Sequence, residues 1–409
     1  MRVLWIATKA PWPPRDGGRL LLAESLAALA GVSDARRRVE VTLIAPVERR
    51  ALATATEALC AVCSPRLVVT RPRSRAFAAL ASTVSGRPYS VVRHDRAGLH
   101  SAVARELGDP GGAPYDLVVA EQLQAFAQSA PAGLSGVPRI LRAQNVESDL
   151  WRQLGEVSGG VVGSLLLRES ARLARAERAA LSAAAATIAL SAADGDRLRA
   201  LEPSALVEAI APPFPGELTG AAQHLAGAPA LVLFGSAGWE PNRRAERLFV
   251  ETTWPRVRAA SPGALLHWFG GAAQRGSGPD RPGVFVHRSP AGSAEAISPG
   301  AILVLPLEIA SGVRMRVLEA WARGVVVVAS PAAASGLNAS DGRELLVARN
   351  AEEFAVAIER LGAIPGLAER LIAGGRARLA ADHSPARFAE RFTALAERLV
   401  ARAASRPRP

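Results

Sequence analysis

Short apolar segments alternate with longer helix-forming segments along both halves of the chain, and this alternation limits the possible folds most strongly. It is typical of parallel sheets covered by helices, because parallel strands need long crossover connections. The expected strands of the first half cover residues 3–7, 39–45, 66–70, 117–120, 139–142 and 187–190, and those of the second half cover 230–235, 264–269, 284–287, 302–306 and 325–330. The sequence therefore predicts two doubly wound α/β domains in tandem.

The connection between the two halves is marked by composition. Residues 211–229 contain four prolines and three glycines and show weak periodicity, as an interdomain segment does. We place the boundary near Pro215, which gives a first domain over 1–214 and a second over 215–384. Residues 385–404 are expected to form a final helix, and the tail at 405–409 is expected to be disordered.

The net charge of +12 comes almost entirely from arginine. Arginine suits bidentate contacts to phosphate, so phosphorylated ligands and anionic membrane surfaces are candidate partners, although a general abundance of Arg and Ala explains the charge equally well. A nucleic-acid-binding protein would show basic clusters interleaved with aromatic residues, or a recognition helix, and neither is present. We therefore expect no nucleic-acid partner.

Composition also argues against a metal centre and a membrane span. Cys60 and Cys63 form a lone C-x-x-C pair, so a structural zinc site is not expected, and we interpret them as two small buried residues, with a redox pair as the alternative. No segment of 18 apolar residues occurs, and the apolar run at 3–7 is too short for a signal peptide. The sequence predicts a cytoplasmic protein, at most peripheral to the inner face of the membrane. Residues 165–181 are expected to form a surface helix that covers the sheet, with a membrane-contacting helix as the alternative.

A proline-rich loop with two glycines follows the first expected strand. In residues 11–19, Gly17 and Gly18 stand just before a helix, at the carboxyl end of the strand. Ligands of open α/β sheets bind at this end, and glycines let backbone N–H groups approach a phosphate. This loop is a candidate binding segment.

Residues 306–324 carry the strongest chemical pattern. An expected strand ends at Pro306, a loop with Ser311 and Gly312 follows, and the next helix carries Glu319. Arg314 and Arg316 lie where a diphosphate could bind, and a glutamate can accept hydrogen bonds from both hydroxyls of a ribose. The pattern predicts a nucleotide site without a metal, in which Arg314, Arg316 and Arg243 stabilise the charge of a leaving diphosphate.

Four segments together resemble the family-4 retaining glycosyltransferases, in particular the bacterial exopolysaccharide-type sugar transferases. They are the loop at 11–19, the segment Arg142-Ala-Gln-Asn-Val-Glu147, the segment 234–242 and the segment 306–324. The resemblance implies a GT-B fold, with two Rossmann-like domains whose parallel sheets face each other across a cleft. It also implies an acceptor mainly on the first domain, a nucleotide sugar mainly on the second, and a final helix that packs back on the first.

The resemblance assigns roles to residues of this sequence. Glu319 resembles the ribose-binding glutamate of the family, and Arg316, with Arg314, resembles the basic group that neutralises the leaving diphosphate. The other residues that it implies are, for donor binding, Gly235, Gly238, Arg243, Ser311 and Gly312, and, for the acceptor side of the cleft, Gly17, Gly18, Gln144 and Asn145.

Two positions depart from the family pattern. Ser311 stands where the family has the first glutamate of a pair, although the subgroup with a Ser-Gly loop often lacks it. Gln144 stands where the subgroup has a histidine, and an amide cannot titrate in its place. An Asp-x-Asp at 194–196 follows an expected strand, so we interpret it as a helix N-cap and not as a metal motif.

The resulting hypothesis is a hexosyltransferase-type glycosyltransferase of class EC 2.4. It moves a sugar from a nucleotide-sugar donor to a glycan, a lipid-linked acceptor or a small molecule, with retention and without metal or other cofactor. The alternative is a non-catalytic GT-B-like subunit that binds a nucleotide or a partner. A GT-B epimerase is disfavoured because the six histidines show no clustering in the sequence, and a dinucleotide oxidoreductase because no G-x-G-x-x-G follows the first strand.

Overall fold

The structure is a computed structural model, and it describes residues 1–14, 16–32, 38–108, 113–129, 136–219, 224–235, 240–270, 281–290 and 293–405. Contacts divide the chain into two compact units. The first unit contains Met1–Pro213 together with Pro385–Pro409, and the second unit contains Phe214–Ser384. The chain thus leaves the first unit, builds the second and returns to the first.

The first unit is built on a seven-stranded parallel sheet with the strand order β3-β2-β1-β4-β5-β6-β7. Its strands are β1 (Arg2–Ile6), β2 (Glu40–Val47), β3 (Ser64–Val69), β4 (Leu117–Glu121), β5 (Arg139–Ala143), β6 (Ala186–Ala189) and β7 (Val207–Ala209). Its helices are α1 (Gly17–Ala30), α2 (Leu52–Cys60), α3 (Arg75–Ser85), α4 (Tyr89–His94), α5 (Ala97–Gly108), α6 (Gln122–Phe126), α7 (Glu147–Ser158), α8 (Gly160–Ala183), α9 (Ala192–Leu201) and, from the end of the chain, α16 (Pro385–Ala404).

The second unit contains a six-stranded parallel sheet with the order β10-β9-β8-β11-β12-β13. Its strands are β8 (Ala230–Gly235), β9 (Leu265–Gly270), β10 (Val284–His287), β11 (Ala301–Leu305), β12 (Val326–Ala329) and β13 (Leu346–Val347). Its helices are α10 (Glu240–Leu248), α11 (Trp254–Ala260), α12 (Met315–Ala322), α13 (Pro331–Ala334), α14 (Ala351–Ala363) and α15 (Leu367–Asp382). The two α/β units with parallel sheets confirm the predicted fold class.

Every strand expected from the sequence is present, with ends that shift by at most two residues. Two strands were missed, β7 with three residues and β13 with two. Both lie at an edge of their sheet, where a short strand needs no long apolar run to form. The expected final helix coincides with α16, whereas residues 406–409 of the expected disordered tail lie outside the described residues.

Each strand of the first sheet supplies side chains to both faces. Val3 and Trp5 of β1 join the core that includes helix α16, whereas Leu4 and Ile6 join the core on the opposite face. Trp5 stacks on Phe392 of α16 at 5.6 Å between ring centroids. Because both rings are fully buried, α16 closes one face of the first sheet.

The second unit has a separate core. Trp254 and Trp268 are buried in it, and Phe249 packs edge-to-face against Phe354 at 5.7 Å. Its members come from the sheet and from helices of the same unit. The second unit therefore contains an apolar core of its own.

Four smaller expectations concerned the cysteines, the histidines, helix α8 and membrane-spanning helices. Cys60 is exposed, so its expected burial was wrong, whereas Cys63 is half-buried and burial raises the pKa of its thiol to about 12. His267 Nδ1 lies 3.0 Å from His287 Nε2 on the neighbouring strand, a pair of two histidines and not the set of acid–base groups that an epimerase would need. Helix α8 buries Leu173 and Leu181, as expected of a helix that covers a sheet. Among the described helices, none is both long and apolar enough to cross a bilayer.

Candidate functional site

The strand orders place one topological switch point in each sheet. In the first sheet, β1 lies between β2 and β4, and in the second, β8 lies between β9 and β11. The connections on the two sides of such a point diverge and leave a crevice at the carboxyl ends of the strands, where ligands of open α/β sheets bind. Gly17 and Gly18 follow β1 and the predicted residues of the second unit follow β8 or β11, whereas Gln144 and Asn145 follow β5, two strands from β1.

In the second unit the crevice begins with two glycines. Gly235 is the last residue of β8, and Gly312 lies in the loop after β11 with a φ of 74°. Such a positive φ favours glycine, so a side chain at 312 would strain this loop. Ser311 is buried beside it. Gly238, the other glycine predicted here, lies outside the described residues.

Three side chains contact the carboxylate of Glu319 in this crevice. Arg316 Nη1 lies 3.2 Å from its Oε2, Arg323 Nε lies 3.3 Å from its Oε1, and Ser293 Oγ donates a hydrogen bond to the same Oε1. The side chain of Glu319 is only 3% exposed. These contacts fix the carboxylate and occupy three of its roughly four lone-pair sites, which leaves one, on Oε2, for a further donor.

Arg316 also contacts the neighbouring strand. Its guanidinium carbon lies 3.7 Å from the ring centroid of Phe234, the residue before Gly235. Arg314 precedes α12 as its N-cap residue, so both arginines lie where the positive end of the helix dipole meets the carboxyl edge of the sheet. Arg243 is half-buried on α10, whose neighbouring Arg244 pairs with Glu308 after β11 at 3.2 Å. An anion at this edge would meet fixed positive charge.

In the first unit, the predicted glycines lie at the start of α1. Asp16 caps this helix by accepting a hydrogen bond from the N–H of Arg19 at 3.0 Å, and Gly17 is the first helical residue. A Cβ at Gly18 would lie 2.7 Å from Oε1 of Gln144, closer than real Cβ contacts. Gly18 is therefore needed for the close approach of Gln144 to α1.

Gln144 lies at the centre of a hydrogen-bonded network. Its Nε2 donates to Glu121 Oε1 at 2.8 Å, and its Oε1 accepts from Gln122 Nε2 at 2.7 Å. Gln122 in turn accepts a hydrogen bond from Thr8 Oγ1 at 2.9 Å and adopts a positive φ of 72°. Such a backbone conformation costs a residue other than glycine about 1 to 3 kcal/mol, and strained residues of this kind cluster at functional sites.

Glu121, which accepts the hydrogen bond from Gln144, also forms a buried ion pair with Arg142. Arg142 Nη1 lies 3.2 Å from Glu121 Oε2, and Arg142 Nη2 donates to Ser25 Oγ at 2.8 Å. Trp5 Nε1 donates to Glu121 at 2.9 Å, and the guanidinium of Arg142 lies over the Trp5 ring. Because both charges are almost completely buried, each depends on the other and on these hydrogen bonds.

Two further carboxylates line a small cavity next to Gln144 and Asn145. The cavity has a volume of about 10 Å³, close to the space of one water. Glu177 caps α7 by accepting from the N–H groups of Glu147 at 2.6 Å and Ser148 at 3.1 Å. Burial, reinforced by the charge of Glu147, raises the pKa of Glu177 to about 7, and burial also raises the pKa of Glu147. Both carboxyl groups therefore hold a proton more readily than an exposed glutamate does.

The glycines, Arg314, Arg316, Glu319 and Gln144 of these sites were predicted from the sequence. Sequence reasoning missed Glu121 and Gln122, although their position directly after an apolar strand was visible. It also missed Arg323, for which the four-residue spacing from Glu319 was a usable signal. Glu177 and Ser293 gave no local signal, because they reach their partners only through the fold.

The Asp-x-Asp segment belongs to a helix start. Ser191 caps α9, Asp194 N donates to Ser191 Oγ at 3.1 Å, and Ser191 Oγ contacts Asp194 Oδ2 at 2.7 Å. Asp196 is exposed and pairs with Arg199. Within the described part of the chain, no three His, Cys, Asp or Glu side chains are grouped as a metal site would require.

The fold matches solved structures of glycosyltransferases along nearly the whole chain. Sucrose-phosphate synthase from Thermosynechococcus elongatus superimposes with a TM-score of 0.69 and 16% identity, over 98% of this chain and 100% of that one. HepE from Anabaena, solved with UDP and glucose, gives 0.65 and 14%, over 97% and 100%. S. aureus TarM, solved as a mutant with UDP and glycan ligands, gives 0.64 and 9%, over 97% and 100%. A comparison with curated protein sequences gives no match.

One family model matches the sequence itself. Residues 284–394 match a family described as glycosyl transferase-like. This segment contains α12 with Arg316 and Glu319, the two residues in contact at the carboxyl edge of the second sheet. The chain therefore has the GT-B type of fold, with two Rossmann-like units, and it carries a glycosyl transferase-like segment that runs from β10 of the second unit into α16.

Proposed function

We propose that this protein is a glycosyltransferase of the hexosyltransferase type, EC 2.4, which transfers a sugar from a nucleotide-sugar donor. The observation that carries the proposal is the Glu319 carboxylate, held between Arg316 and Arg323 at the switch point of the second sheet. A fixed carboxylate next to fixed cations suits the ribose diol and the diphosphate of one nucleotide. Solved structures of HepE with UDP and with UDP-glucose support a nucleotide-sugar donor.

In this proposal the second unit, residues 214–384, binds the donor, and the first unit, residues 1–213 with the final helix, binds the acceptor. Glu319 holds the ribose, whereas Arg314, Arg316 and Arg243 face the diphosphate together with the backbone around Gly235, Gly238, Ser311 and Gly312. Gly17, Gly18, Gln144 and Asn145 form the acceptor side. The acceptor is a glycan, a lipid-linked saccharide or a small molecule.

The reaction breaks a sugar–phosphate bond and leaves negative charge on the departing diphosphate. Fixed cations stabilise that charge most in the transition state, and they need no metal ion to do so. We propose that transfer proceeds with retention of the anomeric configuration, in the family-4 manner. The place of action is the cytoplasm, at most at the inner face of a membrane.

The test begins with calorimetry, using UDP, UDP-glucose and a panel of other nucleotide sugars. Glu319→Gln keeps the shape of the side chain and removes its charge, so donor affinity should fall roughly 10- to 100-fold, as for lost hydrogen bonds to a charged group. Glu353→Gln is the matched control, because Glu353 is a partly exposed helical glutamate in the same unit that pairs with Arg349. Thermal unfolding of each variant separates a binding loss from a loss of fold.

Release of nucleoside diphosphate tests the chemistry. Arg316→Ala should lower kcat roughly 100-fold or more and change KM much less, because the charge that it stabilises develops in the transition state. Donor binding without turnover on any acceptor would favour the non-catalytic subunit, for which Gln144 and Ser311 are the supporting residues. If none of the nucleotide sugars bound, the proposal would be wrong.

A further inference from the structure

Helix α3 of the first unit buries its small side chains and exposes its large apolar ones. Phe77, Leu80 and Val84 are 55%, 66% and 81% exposed, whereas Ala78 and Ser82 are buried. The spacings of three and four residues place the three large side chains on one face of the helix. An ordinary surface helix does the opposite, and a contiguous exposed apolar face marks an interaction surface.

The chain around α3 is strongly basic. From residue 58 to residue 94 the sequence contains six arginines and no aspartate or glutamate. Three of them, Arg71, Arg73 and Arg75, immediately precede α3 or begin it, and Arg71 and Arg75 are exposed. The guanidinium of Arg73 lies over the Phe77 ring at 5.5 Å. Positive charge thus adjoins the apolar face directly.

Contacts to the rest of the first unit hold α3 in this orientation. Ser82 Oγ donates a hydrogen bond to the carbonyl oxygen of Arg87 at 2.7 Å. The same Ser82 Oγ accepts a hydrogen bond from Arg172 Nη1 of α8 at 3.4 Å. Ser74 caps the helix by accepting from the N–H of Phe77. The face of α3 with the small side chains therefore packs against the rest of the first unit. The face with the large apolar side chains is exposed to solvent.

We propose that the α3 surface, formed by Phe77, Leu80 and Val84 with Arg71, Arg73 and Arg75, docks on an anionic lipid bilayer. The helix lies in the plane of the headgroups, its apolar side chains enter the acyl boundary, and the arginines contact lipid phosphates. Charge complementarity favours a lipid surface, and three side chains of one helix cover far less than the roughly 800 Å² per partner of a stable protein interface. The docking goes beyond sugar transfer, because it needs neither donor nor acceptor.

The experiment is flotation of the full chain with vesicles of phosphatidylglycerol and phosphatidylcholine, and with phosphatidylcholine alone. The native protein should bind the anionic vesicles, and added salt should weaken the binding. Phe77→Ser/Leu80→Ser/Val84→Ser should weaken it by more than about tenfold, since the apolar insertion is lost. Each of Arg71→Gln and Arg75→Gln should weaken it roughly fivefold.

Val356→Ser is the matched control, because Val356 is 47% exposed on α14, a helix with acidic residues in its first turn. Its vesicle binding should equal that of the native chain. Equal binding by the triple variant, or no binding by the native chain, would overturn the proposal. So would a native oligomer in light scattering that the triple variant loses, because the surface would then join two copies. Vesicle binding is measured without any nucleotide, so its failure is distinct from a failure of the proposed transferase activity.

Discussion

Gln144 occupies a position at which the exopolysaccharide-type sugar transferases, which this sequence resembles, have a histidine. Its Nε2 donates to Glu121 and its Oε1 accepts from Gln122, so one end of the amide is a donor and the other an acceptor. A neutral imidazole offers the same pair of functions. The network around the ion pair of Glu121 and Arg142 therefore needs a donor and an acceptor at this position, and it does not need a titrating group.

This view predicts a difference between two substitutions at residue 144. Gln144→Leu removes both functions and leaves the buried Glu121 with one donor fewer, so it should destabilise the protein by about 1 to 3 kcal/mol. Gln144→His can restore both hydrogen bonds and should cost clearly less. Urea unfolding of the two variants checks this, and equal losses in both would contradict the proposed role of the amide.

A second prediction at this scale concerns Glu177. Its pKa of about 7 in the folded protein lies above the value of 4.5 expected for an ordinary glutamate, and burial is the main cause. The folded state therefore binds the proton more tightly, so the contribution to stability is present below pH 4.5 and is lost as the pH rises to about 7. The loss amounts to about 3 kcal/mol.

Glu177→Gln removes this titration. The free energy of unfolding of the native chain should fall between pH 5 and pH 8 more steeply than that of the variant, and urea unfolding at the two pH values measures the difference. Glu202→Gln is a suitable control, because Glu202 is a partly exposed glutamate just after α9 of the same unit. Identical pH dependence in native chain and Glu177→Gln would show that Glu177 does not titrate in this range.

At the scale of elements, the strands and long helices could be predicted from the sequence. The contacts between residues of separate elements could not. The apolar run of β1 and the periodicity of α16 are properties of contiguous sequence, and both elements form within one residue of expectation. The site depends on residues from separate elements, such as Ser293 with Glu319, and Glu177 with the start of α7. Such pairs become visible only after the fold brings the ends of strands and helices together.

Helix α16 gives a prediction for an element. Phe392 is completely buried between Trp5 and Phe388, so Phe392→Ala should cost about 3 to 5 kcal/mol through lost burial and a cavity. Phe285→Ala, at a half-exposed ring in the second unit, should cost much less. Denaturant unfolding compares them, and a small effect at residue 392 would mean that α16 is not an integral part of the first core.

For the whole molecule, the division into units predicts how fragments behave. The second unit is continuous and has its own core, so residues 214–384 expressed alone should fold cooperatively. Residues 1–213 lack α16 and would expose Trp5 and its neighbours, so this fragment should unfold or aggregate unless 385–405 are joined to it by a linker. Circular dichroism with thermal melting tests both, and a stable, cooperative 1–213 fragment would contradict the expectation.

The return of the chain at Pro385 also sets the order of events during synthesis. The ribosome completes the first sheet early, but the helix that covers Trp5 is made last, after the entire second unit. At about 5 to 20 residues per second the uncovered face waits roughly 10 to 40 s for its partner. During that interval the nascent chain presents the apolar face around Trp5, which α16 covers in the finished protein, to holdase chaperones.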